Sequence, residues 1–426
     1  LAELHQDPEA LAGRENEFPT DLPIDQVLGD PKFNGATTGR RDFLKFLGFS
    51  VSAATLAACE TPVVKSIPYV NKPEEITPGV ATWYASTYYD GDDYASILVK
   101  TREGRPIHIM GNPRHGLNND AKAGKGAIIA RINSSVLALY DSERVKGPVM
   151  RHEGGFMPHS WEEADKAIMG KLDELSKAGK RIVVLTGTVI SPATRKAIDK
   201  LKNRFGGSTA EQEDGLEVSM GGRVDHVQYD TISYAGLTRA NKACFGKAVM
   251  PSYDLTKADV LVSFGADFLS TWGNTTEHTW QYAQRRKPEG GHMNRHWQFE
   301  ARMSLTGANA DVRVPTLPSA LPKAIIALHD HLAKKAGAST VGGASAEMSE
   351  ATAKVADELW AARGKSLVLA GANDEGVQTL VNHINWMLGN YGQSIDMAGH
   401  SWMKQGDDAA MDRLVQDLNA GKVGAI

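Results

Sequence analysis

Three short apolar runs set the fold class. Ile182-Val183-Val184-Leu185-Thr186-Gly187, Val260-Leu261-Val262-Ser263-Phe264-Gly265 and Leu367-Val368-Leu369-Ala370-Gly371 are rich in β-branched side chains, and each ends in glycine before a plausible helix start. Runs of this kind, without strict apolar–polar alternation, predict strands buried on both faces of a parallel sheet. Right-handed strand–helix–strand units would then build doubly wound αβα layers. Helical periodicity fills the intervals. Ser160 predicts an N-cap and Glu163 completes a capping box, with Ala164, Ile168 and Leu172 marking the apolar stripe of the helix that follows. Ahead of these layers the period changes to that of strands. Residues 96–100 and 106–110 flank Glu103-Gly104, a hairpin signal, and Asn112-Pro113 predicts a turn. The expectation is an α/β protein with a small β-rich N-terminal domain at 60–150 and α/β domains over 151–426, about 226–330 forming an inserted subdomain.

The first 59 residues follow neither period. Residues 1–36 are polar and rich in Pro, Asp and Glu, and read as an extended leader. Then Arg40, Arg41, Phe43 and Leu44 stand in GRRDFLK, before the weakly apolar residues 46–58. A charged segment, a short apolar core and small residues make an export signal, and the paired arginines make it a twin-arginine one. The apolar core is shorter than the roughly 20 residues that a spanning helix needs. It ends Leu56-Ala57-Ala58-Cys59, the pattern of a lipobox, which makes Cys59 the candidate lipid anchor. These features predict export to the outer, periplasmic face of a bacterial inner membrane. Whether residues 1–58 are removed stays open. Pro62, Pro68, Pro73 and Pro78 then exclude a helix interior and predict an extended arm.

Composition removes whole classes of chemistry. A net charge of −4 gives no electrostatic footprint for nucleic acid. Two cysteines, Cys59 and Cys244, are too few for a four-thiolate iron–sulfur cluster, a Cys-based zinc ribbon or a disulfide scaffold. Cys244 reads as a small buried hydrophobe. His329-Asp330-His331 looks metal-like, yet i and i+2 side chains on a helix diverge, so a solvated face is expected. His278, His292 and His296 beside Arg285-Arg286-Lys287 read as a polar loop region. Trp272, Trp280, Trp297 and Trp386 read as core or interface anchors. No nucleophile elbow, P-loop or H-E-x-x-H zinc motif occurs. Gly187, Gly265 and Gly371 would lie at strand carboxyl ends, where ligands bind in such folds, though glycine also simply starts turns there.

Five segments in order carry a family resemblance: GRPIHIMGNPRHGLNN (104–119), AGKGA (123–127), VLALYDSERVKGPVMR (136–151), SWEEA (160–164) and KADVLVSFGADF (257–268). Together they resemble the bacterial molybdopterin oxidoreductases. With the late twin arginine and SIPYVNKPEEITPG (66–79), the chain looks closer still to one branch, the molybdopterin-like subunit of alternative complex III, a quinol-oxidising respiratory complex. The resemblance implies the doubly wound fold and a place in a respiratory electron-transport chain. It also implies neighbours: a ferredoxin-like domain with [4Fe–4S] and [3Fe–4S] clusters, a multihaem cytochrome c and an integral quinol-binding subunit. Because the chain stops as a strand begins, a continuation beyond Ile426 is expected.

The departures from that family point to lost cofactors. Where the resemblance implies the last cluster cysteine stands Ala123, ahead of Lys125 and Gly126, and residues 81–99 contain no cysteine at all. Where it implies a nucleotide-binding Pro-Gly-Thr-Asp stands Pro318-Ser319-Ala320-Leu321. Ser319 and Leu321 are thus degenerate positions, with Gly265 a remnant of the pterin-side strand end. The favoured reading is a cofactor-free structural subunit, with no catalytic, metal or cofactor-binding residues of its own. The alternatives are an active molybdoenzyme using Gly265 and Gly371 with an unusual metal ligand, and an exported binding module unrelated to respiration.

Overall fold

The computed structural model describes Thr77 and residues 79–115, 119–120, 125–206, 208–211, 217–220, 223–342 and 350–426, with only the backbone described for 119–120, 125, 208–211 and 217–220. Arg40, Arg41, Phe43, Leu44, Cys59, the arm prolines and Ala123 lie outside the described residues.

The β-rich part comes first. Strands β1 (Thr82–Tyr89), β2 (Tyr94–Arg102), β3 (Arg105–Gly111), β4 (Asn119–Asp120) and β5 (Lys125–Gly126) form one antiparallel sheet in the order β1-β2-β3-β5-β4. The expected hairpin joins β2 to β3. Glu103 and Gly104 take φ of 52° and 80°, the left-handed pair that a two-residue turn requires. Ala95, Ile97 and Ile109 pack this sheet against Ile132 of α1 (Ala130–Ser134) and Val136. A two-stranded hairpin follows, β6 (Val149–His152) with β7 (Gly155–Pro158).

The first α/β layer starts at α2 (Trp161–Lys177). Its capping box is complete: Glu163 N–H donates to Ser160 Oγ (3.2 Å) and Ser160 N–H donates to Glu163 Oε2 (3.0 Å). Next come β8 (Arg181–Thr186), α3 (Pro192–Phe205), the hairpin β9 (Ser208–Glu211) with β10 (Glu217–Met220), and β11 (Val224–Gln228). The chain then leaves this layer. It passes through α4 (Ala235–Phe245), β12 (Met250–Tyr253), β13 (Val260–Phe264), α5 (Thr275–Gln284), β14 (Arg295–Glu300), α6 (Leu305–Ala308) and β15 (Val312–Pro315). It continues through α7 (Leu321–Ala336), α8 (Glu350–Ala361), β16 (Ser366–Ala370), α9 (Glu375–Met387) and β17 (Ile395–Ser401) before returning through α10 (Asp408–Asn419) to β18 (Val423–Ala425).

Two parallel sheets result, β11-β8-β18 and β15-β14-β13-β16, while β12 and β17 form a separate antiparallel pair. The fold is α/β, as the apolar runs predict, and the three runs are β8, β13 and β16. Every residue of β13 and β16 is buried. Their side chains alternate between two cores. Val260, Val262, Phe264, Val368 and Ala370 face α7, α8 and α9, while Leu261, Leu367 and Leu369 face the side of α4, α5 and β12. That alternation is the double winding seen at the level of side chains.

One boundary differs from the sequence expectation. Because β18 pairs in parallel with β8, the first α/β layer is assembled from two distant segments. The insertion between them therefore extends well past 226–330, taking in everything from β12 to β17.

Candidate functional site

The β8–α3 and β13–α5 connections and the β1–β2 turn converge on a cleft of about 460 Å³. Asp92 and Tyr94 reach it from the β-rich sheet, Ile190 and Arg195 from the β8–α3 connection, and Glu277 and His278 from the first turns of α5. Tyr234, the residue before α4, lines it beside β12, and residues 399–404 close it from the end of β17.

Two buried contacts hold the walls together. Asp93, with no exposed surface, accepts hydrogen bonds from Thr275 N–H (2.9 Å) and Thr275 Oγ1 (2.7 Å) and pairs with Arg131. It thereby places a carboxylate at the amino end of α5, where unpaired N–H groups and the helix dipole favour negative charge. Asp92 pairs with Lys404, whose ammonium is 2.5 Å away and almost fully buried.

The inner wall is aromatic. His278 stacks on Trp272 at 5.8 Å between ring centroids, and Tyr253 and Tyr234 approach Trp272 at 5.4 and 6.0 Å. Gly273 makes that stacking possible. Its φ of +69° suits glycine, and a Cβ there would lie 2.5 Å from His278 Cε1. Gly273 N–H donates to the Tyr234 hydroxyl at 2.7 Å. The His278 ring is hydrogen-bonded to the Trp272 backbone, whereas Trp272 Nε1 and, on the opposite wall, His400 Nε2 are buried without a hydrogen-bond partner.

Burial dominates the electrostatics. It pushes the His278 imidazole down to about 4, so the ring is neutral at pH 7. It pushes the Glu277 carboxyl up to about 7, with a further push from the Asp254 carboxylate and an opposing hydrogen bond from Asn274. Gln281 Nε2 donates to Glu277 Oε1 at 3.0 Å. Burial also raises the Tyr234 phenol to about 12. The cleft therefore offers neutral hydrogen-bonding groups and one carboxyl that can hold or release a proton near neutrality.

The strand ends that the sequence singled out lie elsewhere. Gly265 also takes φ of +69°, and the Cβ position built on it is 3.6 Å from Leu321 Cδ1. Leu321 packs onto the apolar core below α7, α8 and α9, and Ser319 is exposed in the turn before it. Gly371 abuts Gly265 so closely that a Cβ would come within 2.4 Å of the Gly265 carbonyl oxygen. At the end of β8, the Asp230 carboxylate accepts from Thr188 N–H (2.9 Å), Thr188 Oγ1 (2.6 Å) and Gly406 N–H (2.8 Å). Of Lys125 only the backbone, in β5, is described.

Several expectations from the sequence change. Cys244 is exposed, at the end of α4 where the helix runs out of the core. His329 is buried rather than solvated: its Nδ1 is bonded to Asp330 at 2.9 Å and its Nε2 to His383 Nδ1 at 2.8 Å, across α7 and α9. His278 and His296 sit on α5 and β14, both buried, so only His292 belongs to the polar loop. Trp272 and Trp297 are core residues, whereas Trp386 is largely exposed. Sequence reasoning missed Glu277, Tyr234, His400 and Trp402 as cleft residues. The available signal was topological: the segment after a buried strand ending in Gly265 opens the next helix at the sheet's carboxyl edge.

Residues 144–311 match the family described as Molybdopterin oxidoreductase. Over 317 residues the chain is 25% identical to the "Menaquinone reductase, molybdopterin-binding-like subunit" of Nitratidesulfovibrio vulgaris, a match covering 71% of this chain and 40% of that protein. It is 26% identical over 119 residues to "Probable oxidoreductase YyaE" of Bacillus subtilis, covering 28% of this chain and 17% of that one. Among solved structures it is similar to "Acetylene Hydratase from Pelobacter acetylenicus", with 13% identity and a TM-score of 0.43 over 75% of this chain and 42% of the other. The chain thus spans less than half the length of these relatives.

Two strand-end positions carry groups that a pterin dinucleotide would not be expected to favour. Leu321 presents a methyl group beside Gly265, and the Gly265 and Gly371 backbones are already in contact. Asp230 sets a carboxylate at the end of β8, where a phosphate would meet like charge. The exposed thiol of Cys244 does not line the cleft.

Proposed function

We propose that this chain is a cofactor-free structural subunit of a membrane-attached respiratory quinone or quinol oxidoreductase, of the alternative complex III kind. The observation that carries the reading is what stands at the two strand ends: an aliphatic Leu321 beside Gly265, and at β8 an Asp230 carboxylate held by the Thr188 hydroxyl and the Gly406 backbone. In this reading the chain keeps the fold as a shape and leaves electron transfer to its neighbours. The name of the Nitratidesulfovibrio relative, a subunit of a menaquinone reductase, supports the same placement.

The surface supports assembly. The β6–β7 hairpin and the start of α2 expose Val149, Met150, Phe156, Met157, Trp161 and Ile168, with Phe156 and Trp161 about 70% accessible. Apolar side chains this exposed mark surfaces that partners cover. In this reading the partners are a ferredoxin-like cluster domain, a multihaem cytochrome c and an integral quinol-binding subunit. Iron–sulfur clusters and haem c belong to them. The chain is exported by its twin-arginine signal and held at the periplasmic face by lipid on Cys59. Among the described residues no helix is long and apolar enough to cross a membrane.

The test is affinity purification of the tagged full chain from membranes, followed by metal, haem and intact-mass analysis. Haem- and iron-bearing subunits should co-purify without molybdenum. Stoichiometric molybdenum or extractable pterin in the purified chain would establish the alternative, a molybdoenzyme. Isolation from membranes with no redox subunits would favour the unrelated exported module.

A further inference from the structure

The central cleft has a specific lining. Its volume of about 460 Å³ lies within the range of small-molecule sites, roughly 300–1,000 Å³. Its walls are aromatic and thioether, from Tyr94, Tyr234, Tyr253, Trp402, Met250 and Met403. The charges that line it nearly cancel: Asp92 is paired with Lys404, and Arg195 at the rim offsets Glu277 when that carboxyl is ionised. An uncharged occupant is therefore favoured over a polyanion. Polar groups face the cleft as well. The His278 imidazole, 3% exposed and hydrogen-bonded to the Trp272 backbone, lines one wall, and on the opposite wall His400 Nε2 is buried without a partner within the protein.

We propose that this cleft binds one flat, uncharged ring system of bicyclic size carrying carbonyl or hydroxyl oxygens, the chemistry of a quinone headgroup, with a polar ring substituent within reach of His278 and Glu277. The proposal deepens the functional reading above and rests on it for the choice of ring. It is a statement about binding, and no redox step is assigned to this chain. The aromatic wall supplies stacking area at little conformational cost. Glu277 donates to a ring oxygen when protonated and accepts from a ring hydroxyl when ionised, so both redox forms of such a ring find a partner.

The experiment titrates the purified full chain with menadione, a naphthoquinone without a lipid tail, following tryptophan fluorescence and calorimetric heat. One saturable site is expected. Trp402→Ala, at a position already more than half exposed, should weaken it at least threefold without moving the unfolding midpoint. His278→Ala should weaken it at least tenfold, and His278→Gln should restore part of that loss. Absence of saturation up to the solubility limit, or affinity unchanged in both alanine variants, would overturn the proposal. Tighter binding of 6-hydroxymethylpterin than of menadione would overturn the choice of ring. The two readings fail separately. If redox subunits co-purify but menadione does not bind, the ring site falls and the structural role stands. Menadione binding by a chain that recovers no redox subunits would leave the site and remove the assembly.

Discussion

Replacing Asp93 with alanine should loosen the β-rich sheet from α5. In the native protein this carboxylate is fully buried and accepts from both the backbone N–H and the hydroxyl of Thr275, which is itself buried. Alanine leaves those two donors without an acceptor, at about 1–3 kcal/mol each. Arg131, which is 41% exposed, can turn to water and adds little. The expected loss is about 2–5 kcal/mol, in line with other broken buried pairs. Asparagine keeps an acceptor and loses only the charge, so Asp93→Asn should cost about 1–2 kcal/mol. Urea unfolding at pH 7, followed by far-UV circular dichroism and tryptophan fluorescence, reads the effect as a shift in the earliest transition, since layers joined by a few contacts need not unfold together. If Asp93→Ala unfolded within 0.5 kcal/mol of the native protein, the idea that this carboxylate fastens the two parts would be wrong.

The remaining expectations concern the cleft and the cofactors. Glu277 holds its proton more tightly folded than unfolded, so its contribution is complete below about pH 4.5 and is lost as pH rises through about 7. His278 and His296, both pushed down to about 4, act in the opposite sense below pH 6.5, so the comparison must be with Glu277→Gln. That variant should gain on the native protein by up to about 3 kcal/mol between pH 5 and 8, measured as the difference in unfolding midpoints, and a pH-independent difference would contradict the assignment. Gly273→Ala forces a left-handed alanine against the His278 ring, and should cost about 2 kcal/mol or more and raise the fluorescence of the Trp272 cluster. If the cofactor-free role proposed above is right, purified chain carries no stoichiometric molybdenum by mass spectrometry, and one molybdenum per polypeptide would refute it. Menadione should bind once per chain, as set out above.

Local signals in the chain were enough to place the main elements. The apolar runs that became β13 and β16 could be read directly, because a strand buried on both faces admits almost no polar residue, whereas β8 is a strand as expected but only partly buried, with Leu185 exposed. The β2–β3 turn and the capping box at Ser160 were equally legible, since each depends only on residues within four positions of one another. Leu321 in place of a carboxylate could be read as a departure, but not that its side chain would settle beside Gly265. Tertiary structure alone decided the rest. Pairing of β18 with β8 joins segments more than 200 residues apart, and nothing in a local pattern records such a partner. The same holds for His278, His296 and His329, which look polar in sequence and are buried because distant elements close over them. The cleft is likewise a product of assembly, since Asp92, Arg195, Glu277 and Trp402 come from four separate stretches of chain. Short-range periodicity fixes which residues seek the interior, whereas the way the layers stack determines which of the remaining side chains meet.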